Sequence, residues 1–477
     1  MDPAACYQAL CARDSRFDGI FYVGVETTGV YCRPICPART PARERCQFFA
    51  RAAEAERAGF RACFRCRPEL APGLATVDSI PRLVRAAADR IEAGYLNERS
   101  ADELARSLGV SSRHLRRAMQ AELGASPVEL AQTRRLALAK QLLHDTTLSL
   151  TDVALAAGFA SVRRFNALFR QRFSRSPRAL RRDVGAAGPG DFVALRLDYR
   201  PPFDWPALLA FLAARAIPGV EQVEHDEYRR SVAIGGCVGS LAVGHDSARH
   251  ALRAQISLSL APKLTEIVAR LRSLFDLDAR PSLVGEHLRR DPLLRPMVRA
   301  RPGLRVPGAF DSFEMAVRAV LGQQISVRAA TTLSGRLAAR FGRPAPSSQA
   351  GPTLVFPPAE VLADASVADL RRLGLPEKRA LTIVQLARAV AQRRVDLLDR
   401  SAPERVLAEL RALPGIGAWT AQYLAMRALH WPDAFPAGDL AVRRALDVAS
   451  ERSAERRAER WRPWRAYAVM HLWSSHT

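Results

Sequence analysis

Two pairs of cysteines are the residues of this sequence best suited to chemistry. Cys32 and Cys36 form a CxxxC pattern, and Cys63 and Cys66 form a CxxC pattern. Segment 1–14 lacks the apolar run of an export signal, so we expect the thiols to stay reduced. Reduced cysteines at this spacing are typical ligands of tetrahedral Zn²⁺. The pattern therefore predicts a four-thiolate zinc site; the alternative, four buried structural thiols, fits poorly with the arginines and prolines beside them.

Arginines crowd the predicted zinc site and suggest a second role for it. Four thiolates on one Zn²⁺ carry a formal charge of about −2, and the metal keeps each sulfur deprotonated and nucleophilic at neutral pH. Basic side chains around such a site favour its approach to phosphate. We therefore predict a thiolate that faces DNA and accepts an electrophile. The surrounding arginines are Arg33, Arg39, Arg43, Arg45, Arg61, Arg65 and Arg67.

The C-terminal half carries a different set of reactive residues. Leu413–Tyr423 places a proline and two glycines, Gly415 and Gly417, between helical patterns. This predicts a helix-hairpin-helix, whose glycines let the backbone lie close to DNA and whose amides bind phosphate. Asp439 follows Gly417 by 22 residues. By itself Asp439 is interpreted as a helix N-cap, but beside a DNA-binding hairpin its carboxylate also suits cleavage of a glycosidic bond.

The composition of the whole chain indicates a nucleic-acid partner. A length of 477 residues predicts three or more domains. The net charge of +23 favours a polyanionic partner, although an arginine-rich composition can also reflect a GC-rich genome. No apolar run reaches the ~18 residues of a membrane span, so we expect none.

Two similar units follow the cysteine region, Ser100–Arg117 and Ser149–Phe165. Each contains a capped amphipathic helix, a glycine (Gly109 or Gly158) and then a basic helix that begins at serine. This order is typical of a helix-turn-helix, whose second helix enters the major groove. A linking helix over about 127–144 would place the two recognition helices in successive grooves.

The cysteine region resembles a known family. The runs Phe21–Arg39 and Ala58–Pro68, which contain the four cysteines, resemble the N-terminal zinc domain of the Ada methylation-response proteins, over residues 5–75. The resemblance implies that Cys32 irreversibly accepts a methyl group from a DNA methylphosphotriester, once per protein molecule. Loss of one negative charge at the site should then tighten DNA binding.

Residues 85–183 resemble the AraC-family DNA-binding domain, notably in Ala156–Phe159 and Phe169–Arg178. Ada proteins join these same two domains. The resemblance implies binding to promoter DNA, with RNA polymerase as a partner. Core positions are expected at Leu115, Phe159, Phe165 and Phe169. Groove-facing residues are expected at Ser112, Arg113, His114, Arg116, Ser161, Arg163, Arg164 and Asn166.

The pattern of apolar and polar residues changes after residue 190 and predicts a small α/β layer over about 191–275, followed by helices. Alternating apolar and polar residues predict strands at Phe192–Tyr199, Tyr228–Val238 and Gln255–Leu260. Cys237 lies in this layer, and we predict that its thiol is buried. No Pro-Cys-His-Arg motif occurs in this sequence, so we do not expect the guanine-repairing half of some Ada proteins.

Residues from about 190 to 475 resemble the AlkA family of 3-methyladenine DNA glycosylases. The resemblance implies base flipping into an aromatic cleft, with Asp439 stabilising the cationic sugar and helping to position water. Related lyase-type glycosylases carry a lysine where this chain has Trp419, so we predict a monofunctional enzyme that leaves an abasic site. The matching segments are Arg301–Gly308, Phe313–Ser326, Leu413–Tyr423, Asp439 and Glu459–Trp473. The residues matching the family's cleft are Trp419, Tyr423 and Trp473; as an alternative, they are core aromatics.

Two positions depart from the AlkA pattern. Gln324 stands where the family residue that wedges into the DNA stack is often leucine. Glutamine can fill that gap and hydrogen-bond the orphan base. Leu440 follows Asp439 where some members carry tyrosine, so we expect the range of excised bases to differ.

Together these patterns predict a multidomain, mainly α protein with a small zinc α/β domain, a double helix-turn-helix and an AlkA-like glycosylase. The expected domains are 1–76, 80–184, 190–300 and 301–477. We expect Zn²⁺ as cofactor, double-stranded alkylated and promoter DNA as partners, a monomeric state and a cytoplasmic, nucleoid-associated location. Two alternatives stay open: a regulator whose C-terminal half binds damaged DNA without catalysis, and a zinc module that is purely structural.

Overall fold

The computed structural model describes residues 2–75, 81–182, 191–346 and 351–474; the predicted glycine-rich linker at 185–190 lies outside them. The chain divides into two compact units. The first comprises Met1–Pro201 and Asp246–Ala269, and the second comprises Pro202–His245 and Arg270–Thr477. Within the described ranges, no helix combines the length and apolar character needed to cross a membrane.

The cysteine region folds as a small sheet with two helices. Its elements are α1 (Pro3–Cys11), β1 (Tyr22–Val25), β2 (Val30–Cys32), β3 (Cys46–Phe49), α2 (Ala52–Arg57) and β4 (Arg61–Ala62). The strand order is β3–β1–β2–β4, and β2 and β4 run parallel. Because β2 ends at Cys32 and β4 ends just before Cys63, parallel pairing brings both cysteine loops to the same end of the sheet.

A bundle of eight helices follows within the first unit. They are α3 (Arg82–Glu92), α4 (Tyr95–Glu98), α5 (Ala101–Ser107), α6 (Ser112–Leu123), α7 (Pro127–Asp145), α8 (Leu150–Ala156), α9 (Val162–Phe173) and α10 (Pro177–Arg182). Helices α5–α6 and α8–α9 form the two predicted helix-turn-helices, joined by α7. Gly109 and Gly158 have φ of +71° and +87°, a conformation that favours glycine at each turn. Leu115, Phe165 and Phe169 are fully buried, so the opposite faces of α6 and α9 stay outside the core.

The α/β layer is distributed between the two units. It contains β5 (Phe192–Asp198), α11 (Trp205–Ala213), β6 (Glu221–Glu224), β7 (Glu227–Ile234), β8 (Cys237–Asp246) and β9 (Ala251–Ser257). In the first unit β5 pairs antiparallel with β9, and in the second β6, β7 and β8 pair antiparallel in sequence order.

Two details of this layer differ from the sequence prediction. The strand predicted at Gln255–Leu260 ends at Ser257, and a 3₁₀ turn, Leu258–Lys263, takes its place. Cys237 is half-buried rather than buried, because it begins β8 directly after the turn at Gly235 and Gly236.

The rest of the chain is predominantly helical. Its elements are α12 (Leu264–Leu274), α13 (Pro281–Leu288), α14 (Leu294–Ala300), α15 (Ser312–Leu321), α16 (Val327–Phe341), β10 (Arg343–Pro344), β11 (Leu354–Val355), α17 (Ala359–Ala363), α18 (Val367–Arg372), α19 (Glu377–Ala391), α20 (Pro403–Arg411), α21 (Ala418–Arg427), α22 (Leu440–Ala445), α23 (Glu451–Ala458) and α24 (Arg465–Ser474). Helices α20 and α21 flank the predicted hairpin. In the second unit α22 packs on α24, and α15 packs on both α19 and α21.

Candidate functional site

The four predicted zinc ligands converge on one point. The sulfurs of Cys32, Cys36, Cys63 and Cys66 all lie within 4.8 Å of one another. Four sulfurs at ~2.3 Å from one zinc ion form a tetrahedron with edges of about 3.8 Å, so this donor set fits Zn²⁺. Hydrogen bonds among the crowded thiols raise the pKa of Cys32 and lower the pKa of Cys36 to about 7. A divalent cation relieves this competition for protons by binding all four as thiolates.

The four sulfurs differ in exposure and in hydrogen bonding. Cys36 and Cys66 are buried, whereas Cys32 and Cys63 are half-buried. The backbone N–H of Arg33 donates to Cys66 Sγ at 3.4 Å, and that of Arg65 donates to Cys63 Sγ at 3.3 Å. Among the described residues, no backbone N–H donates to Cys32 Sγ. Of the two half-buried sulfurs, Cys32 Sγ is therefore the one whose electron density is not drawn off by a backbone N–H of the described residues.

Two of the arginines predicted to face DNA have other roles. Arg33 is only 2% exposed, because it forms ion pairs with Asp18 and Asp198. Arg67 pairs with Glu69 and with Asp145 of α7. The arginines that remain exposed around the cysteines are Arg39, Arg43, Arg45 and Arg65, and Arg61 is half-buried.

The predicted groove-facing residues lie at the start of the two recognition helices. Ser111 caps α6 and accepts a hydrogen bond from the His114 N–H, while Ser161 caps α9 and accepts one from the Arg164 N–H. Four arginines on these helices are exposed: Arg113, Arg116, Arg163 and Arg164. His114 and Ser161 are also exposed, and Ser112 and Asn166 are half-buried.

In the second unit, Asp439 is held by three N–H donors. It caps α22, with its Oδ1 accepting from the Val442 N–H at 3.0 Å. The same oxygen accepts from Trp473 Nε1 at 3.1 Å, and Oδ2 accepts from Trp419 Nε1 at 3.0 Å. Asp439 is therefore the N-cap of α22, and its carboxylate is also fixed between two indoles.

Trp419, Tyr423 and Trp473 form one aromatic wall beside this carboxylate. Trp419 and Tyr423 stack with centroids 5.3 Å apart and planes 10° apart, and Trp473 lies 6.2 Å from Tyr423. All three are half-buried, as is Asp439. This partial exposure favours the predicted base-binding role over three core aromatics.

One neighbour of these aromatic residues was not predicted from the sequence. Arg427 Nη1 donates to the Tyr423 hydroxyl at 2.8 Å, and its guanidinium lies 5.6 Å from the Tyr423 ring. Burial lowers the pKa of Arg427 to about 10. The signal available in the sequence was the spacing of four residues, which places both side chains on one face of α21.

The two hairpin glycines have different structural roles. Gly415 has φ of +85°, and a Cβ there would lie 2.0 Å from Thr382 Oγ1 of α19, so the position requires glycine for folding. Gly417 precedes α21 with open space where its Cβ would be. The α21 N-terminus has no side-chain cap, so its amide groups are available to a phosphate.

Gln324 and Leu440 both lie on the surface. Gln324 is exposed in the turn between α15 and α16, with φ of +57°. This left-handed conformation is uncommon for a residue other than glycine and is often found at functional sites. Leu440 is 61% exposed at the start of α22, directly after Asp439.

Four family models match the chain in succession. They are the metal binding domain of Ada over 5–69, a helix-turn-helix domain over 104–183, the AlkA N-terminal domain over 194–311, and the HhH-GPD superfamily of base excision DNA repair proteins over 317–464. These matches define a helix-hairpin-helix DNA glycosylase, joined to a zinc-binding domain and a helix-turn-helix domain.

Whole-chain similarity narrows this class. A Mycobacterium tuberculosis protein named probable bifunctional transcriptional activator/DNA repair enzyme AlkA is 41% identical over 98% of this chain and 96% of its own length. DNA-3-methyladenine glycosylase 2 of Escherichia coli is 38% identical over 58% of this chain and 95% of its own. The chain belongs to the family of bifunctional Ada–AlkA transcriptional activators and DNA repair enzymes.

A solved structure supports the fold of the glycosylase part. The 3-methyladenine DNA-glycosylase from Archaeoglobus fulgidus superposes with a TM-score of 0.52 at 23% identity, over 58% of this chain and 97% of that chain. At this identity the likeness concerns the fold alone.

Proposed function

We propose that this chain senses DNA methylation through Cys32, activates transcription through its helix-turn-helix domain, and excises alkylated bases, 3-methyladenine among them, through Asp439. The domains that carry these activities are 1–76, 80–184, and 190–300 with 301–477. The observation that carries the enzymatic half is the Asp439 carboxylate, fixed by two indole N–H groups beside three half-buried aromatic rings.

For the sensor, Cys32 Sγ attacks the methyl carbon of a methylphosphotriester. The carbon–oxygen bond breaks, an S–CH₃ bond forms, and the oxygen leaves as an ordinary phosphodiester anion. Zinc, when bound, keeps the sulfur deprotonated at neutral pH. Cys32 is favoured over Cys63 because both are half-buried but only Cys63 Sγ accepts a backbone N–H.

Methyl transfer should strengthen DNA binding electrostatically. The formal charge of the zinc site changes from about −2 to about −1, because a thiolate becomes a thioether. At ~8 Å from a phosphate, loss of one negative charge is worth roughly 0.5–2 kcal/mol. The attraction between the DNA phosphates and the exposed arginines is then no longer opposed by that charge. These arginines are Arg39, Arg43, Arg45 and Arg65.

For the glycosylase, the flipped base stacks on Trp419, Tyr423 and Trp473. Alkylated purines are cationic, so the ring faces attract them by stacking and cation–π interaction. As the glycosidic bond breaks, positive charge grows on the sugar, and the Asp439 carboxylate stabilises it and orients water. A cationic base leaves readily, so no strong general acid is needed.

The product should be an abasic site without strand cleavage. The groups that contact the Asp439 carboxylate belong to Trp419, Trp473 and Val442, and none of them is a lysine. Without a lysine amine no Schiff base to the sugar forms. Gln324 is proposed to fill the vacated stack, while Gly415 and Gly417 shape the phosphate-binding hairpin.

For the regulator, Arg113, Arg116, Arg163 and Arg164 are proposed to contact promoter DNA from two successive major grooves. RNA polymerase is the proposed partner of the activated form. We further propose a monomer that acts in the cytoplasm on the nucleoid.

Incubation of the zinc-loaded full chain with DNA treated with a radiolabelled methylating agent tests the proposal. The expected products are protein labelled at Cys32, by peptide mapping, and free 3-methyladenine. Label without free base would support the second candidate, a regulator with a non-catalytic C-terminal half. Free base without label would leave a structural zinc module.

A further inference from the structure

Gln323 lies in the turn that carries Gln324, and its side chain hydrogen-bonds to the proposed phosphate-binding hairpin. Its Nε2 donates to the Gly415 carbonyl at 2.9 Å and lies 3.0 Å from Thr420 Oγ1 on α21. The wedge turn, Gly322–Ser326, and the hairpin are therefore connected through one amide, although the two partners lie 92 residues apart in the chain.

Helix α19 also hydrogen-bonds to the same turn. Arg379 of α19 donates from Nη2 to the Gln323 carbonyl at 2.6 Å. Thr382, one helical turn further along α19, donates to the Pro414 carbonyl at 3.0 Å. Helix α19 thus contacts both the wedge turn and the hairpin, and Gln323 joins those two segments directly.

These contacts bear on the step in which a base leaves the duplex. A wedge can occupy the stack only if it enters while the hairpin holds the phosphates, so the two must keep a fixed spacing. Gln324 itself is exposed and has a left-handed φ of +57°, a conformation that its own residue type does not favour. Neighbouring contacts must therefore hold it.

We propose that Gln323 is a positioning residue that fixes the Gln324 wedge relative to the hairpin around Gly415, and thereby selects how efficiently paired lesions are flipped. The inference rests on the proposed glycosylase function. It assigns Gln323 no contact with the base or sugar; its effect passes through Gln324 and the hairpin backbone.

The test compares Gln323→Met with wild type by single-turnover base release. Methionine keeps the length and bulk of the side chain but removes the amide donor. Two substrates are used: 3-methyladenine in a fully paired duplex, and the same base in an unpaired bulge, where flipping requires less energy. Gln392→Met, the same change at an exposed glutamine at the end of α19, is the matched control.

Loss of one hydrogen-bonded connection should slow release from the paired duplex about tenfold. Release from the bulge should change less than about threefold, so the paired-to-bulged ratio falls, and Gln392→Met should match wild type on both. An equal fold loss on both substrates leaves the ratio unchanged; it would mean that Gln323 serves only to hold the fold, and it would overturn the proposal. Wild-type rates on both substrates would overturn it as well. A wild-type chain that releases no base from either substrate would instead refute the glycosylase function.

Discussion

Arg33, which follows the proposed methyl acceptor Cys32, forms a buried ion pair with Asp198 of strand β5, with 2.9 Å between Nη1 and Oδ2. The same guanidinium donates from Nε to Asp18 at 2.8 Å and from Nη1 to the Cys66 carbonyl at 3.2 Å. In return, Arg200 donates to the carbonyls of Asp18 and Gly73, each at 2.8 Å. The zinc-binding loop and strand β5 are therefore parts of one compact unit.

Replacing Arg33 should destabilise the first unit strongly. Arg33→Met leaves the Asp18 carboxylate buried without its main cationic partner, which should lower the free energy of unfolding by about 3–5 kcal/mol. Urea denaturation measures the change. Arg16→Met is the control, because Arg16 pairs with Asp14 at the surface and its loss should leave the midpoint unchanged. An Arg33→Met midpoint equal to that of the control would contradict the assigned contact.

Methyl transfer should depend on Cys32 alone among the thiols that can reach DNA. We expect Cys32→Ser to accept no label from methylphosphotriester DNA. Cys237→Ser, which removes a half-buried thiol of the second unit, should accept as much label as wild type. Mass spectrometry of tryptic peptides locates the methyl group, and its appearance on Cys63 would refute the choice made from hydrogen bonding.

The Trp473 indole should contribute through its N–H as well as its ring. Trp473→Phe keeps an aromatic face but removes the donor to Asp439 Oδ1, so we expect base release to slow about tenfold with little change in KM. Steady-state kinetics separates the two constants, and Trp431→Phe in the same unit serves as control. A rise in KM at unchanged kcat would indicate that Trp473 acts by stacking alone.

The second unit should lose stability in mild acid. Burial lowers the pKa of His430 to about 3 and that of His471 to about 4. Below the ordinary value of 6.5, the unfolded imidazoles bind protons that the folded ones do not, so stability falls as pH drops from 6.5. Burial also raises the pKa of Asp276 to about 6. Below that pH the folded carboxyl binds a proton that the unfolded one does not, which offsets the proton taken up by one unfolded histidine.

Urea midpoints of wild type and His471→Gln at pH 7.0 and about 5.5 test this pH dependence. Each buried histidine contributes up to about 1.4 kcal/mol per pH unit below 6.5. The variant should therefore lose less stability than wild type on acidification. Parallel losses in both proteins would show that His471 is protonated in the folded state.

Local spacing predicted most of the fold, because caps, turn glycines and helical periodicity act within a few residues. The cysteine pairs, the serine caps of α6 and α9, and the N-cap at Asp439 are all of this kind. Side-chain contacts between residues distant in sequence could not be predicted from local spacing. Arg33 was expected to face DNA because only its charge was visible, whereas Asp198 lies 165 residues later. The bond from Gln323 to Gly415 escaped prediction for the same reason.

The central claim, that Asp439 carries glycosidic cleavage, is tested most directly by single-turnover release of 3-methyladenine by Asp439→Asn. Asparagine still caps α22 but lacks the negative charge, so release should fall by about 10²- to 10³-fold while DNA affinity stays the same. Asp364→Asn, at an exposed position in the same unit, should match wild type. Wild-type release by Asp439→Asn would contradict the account.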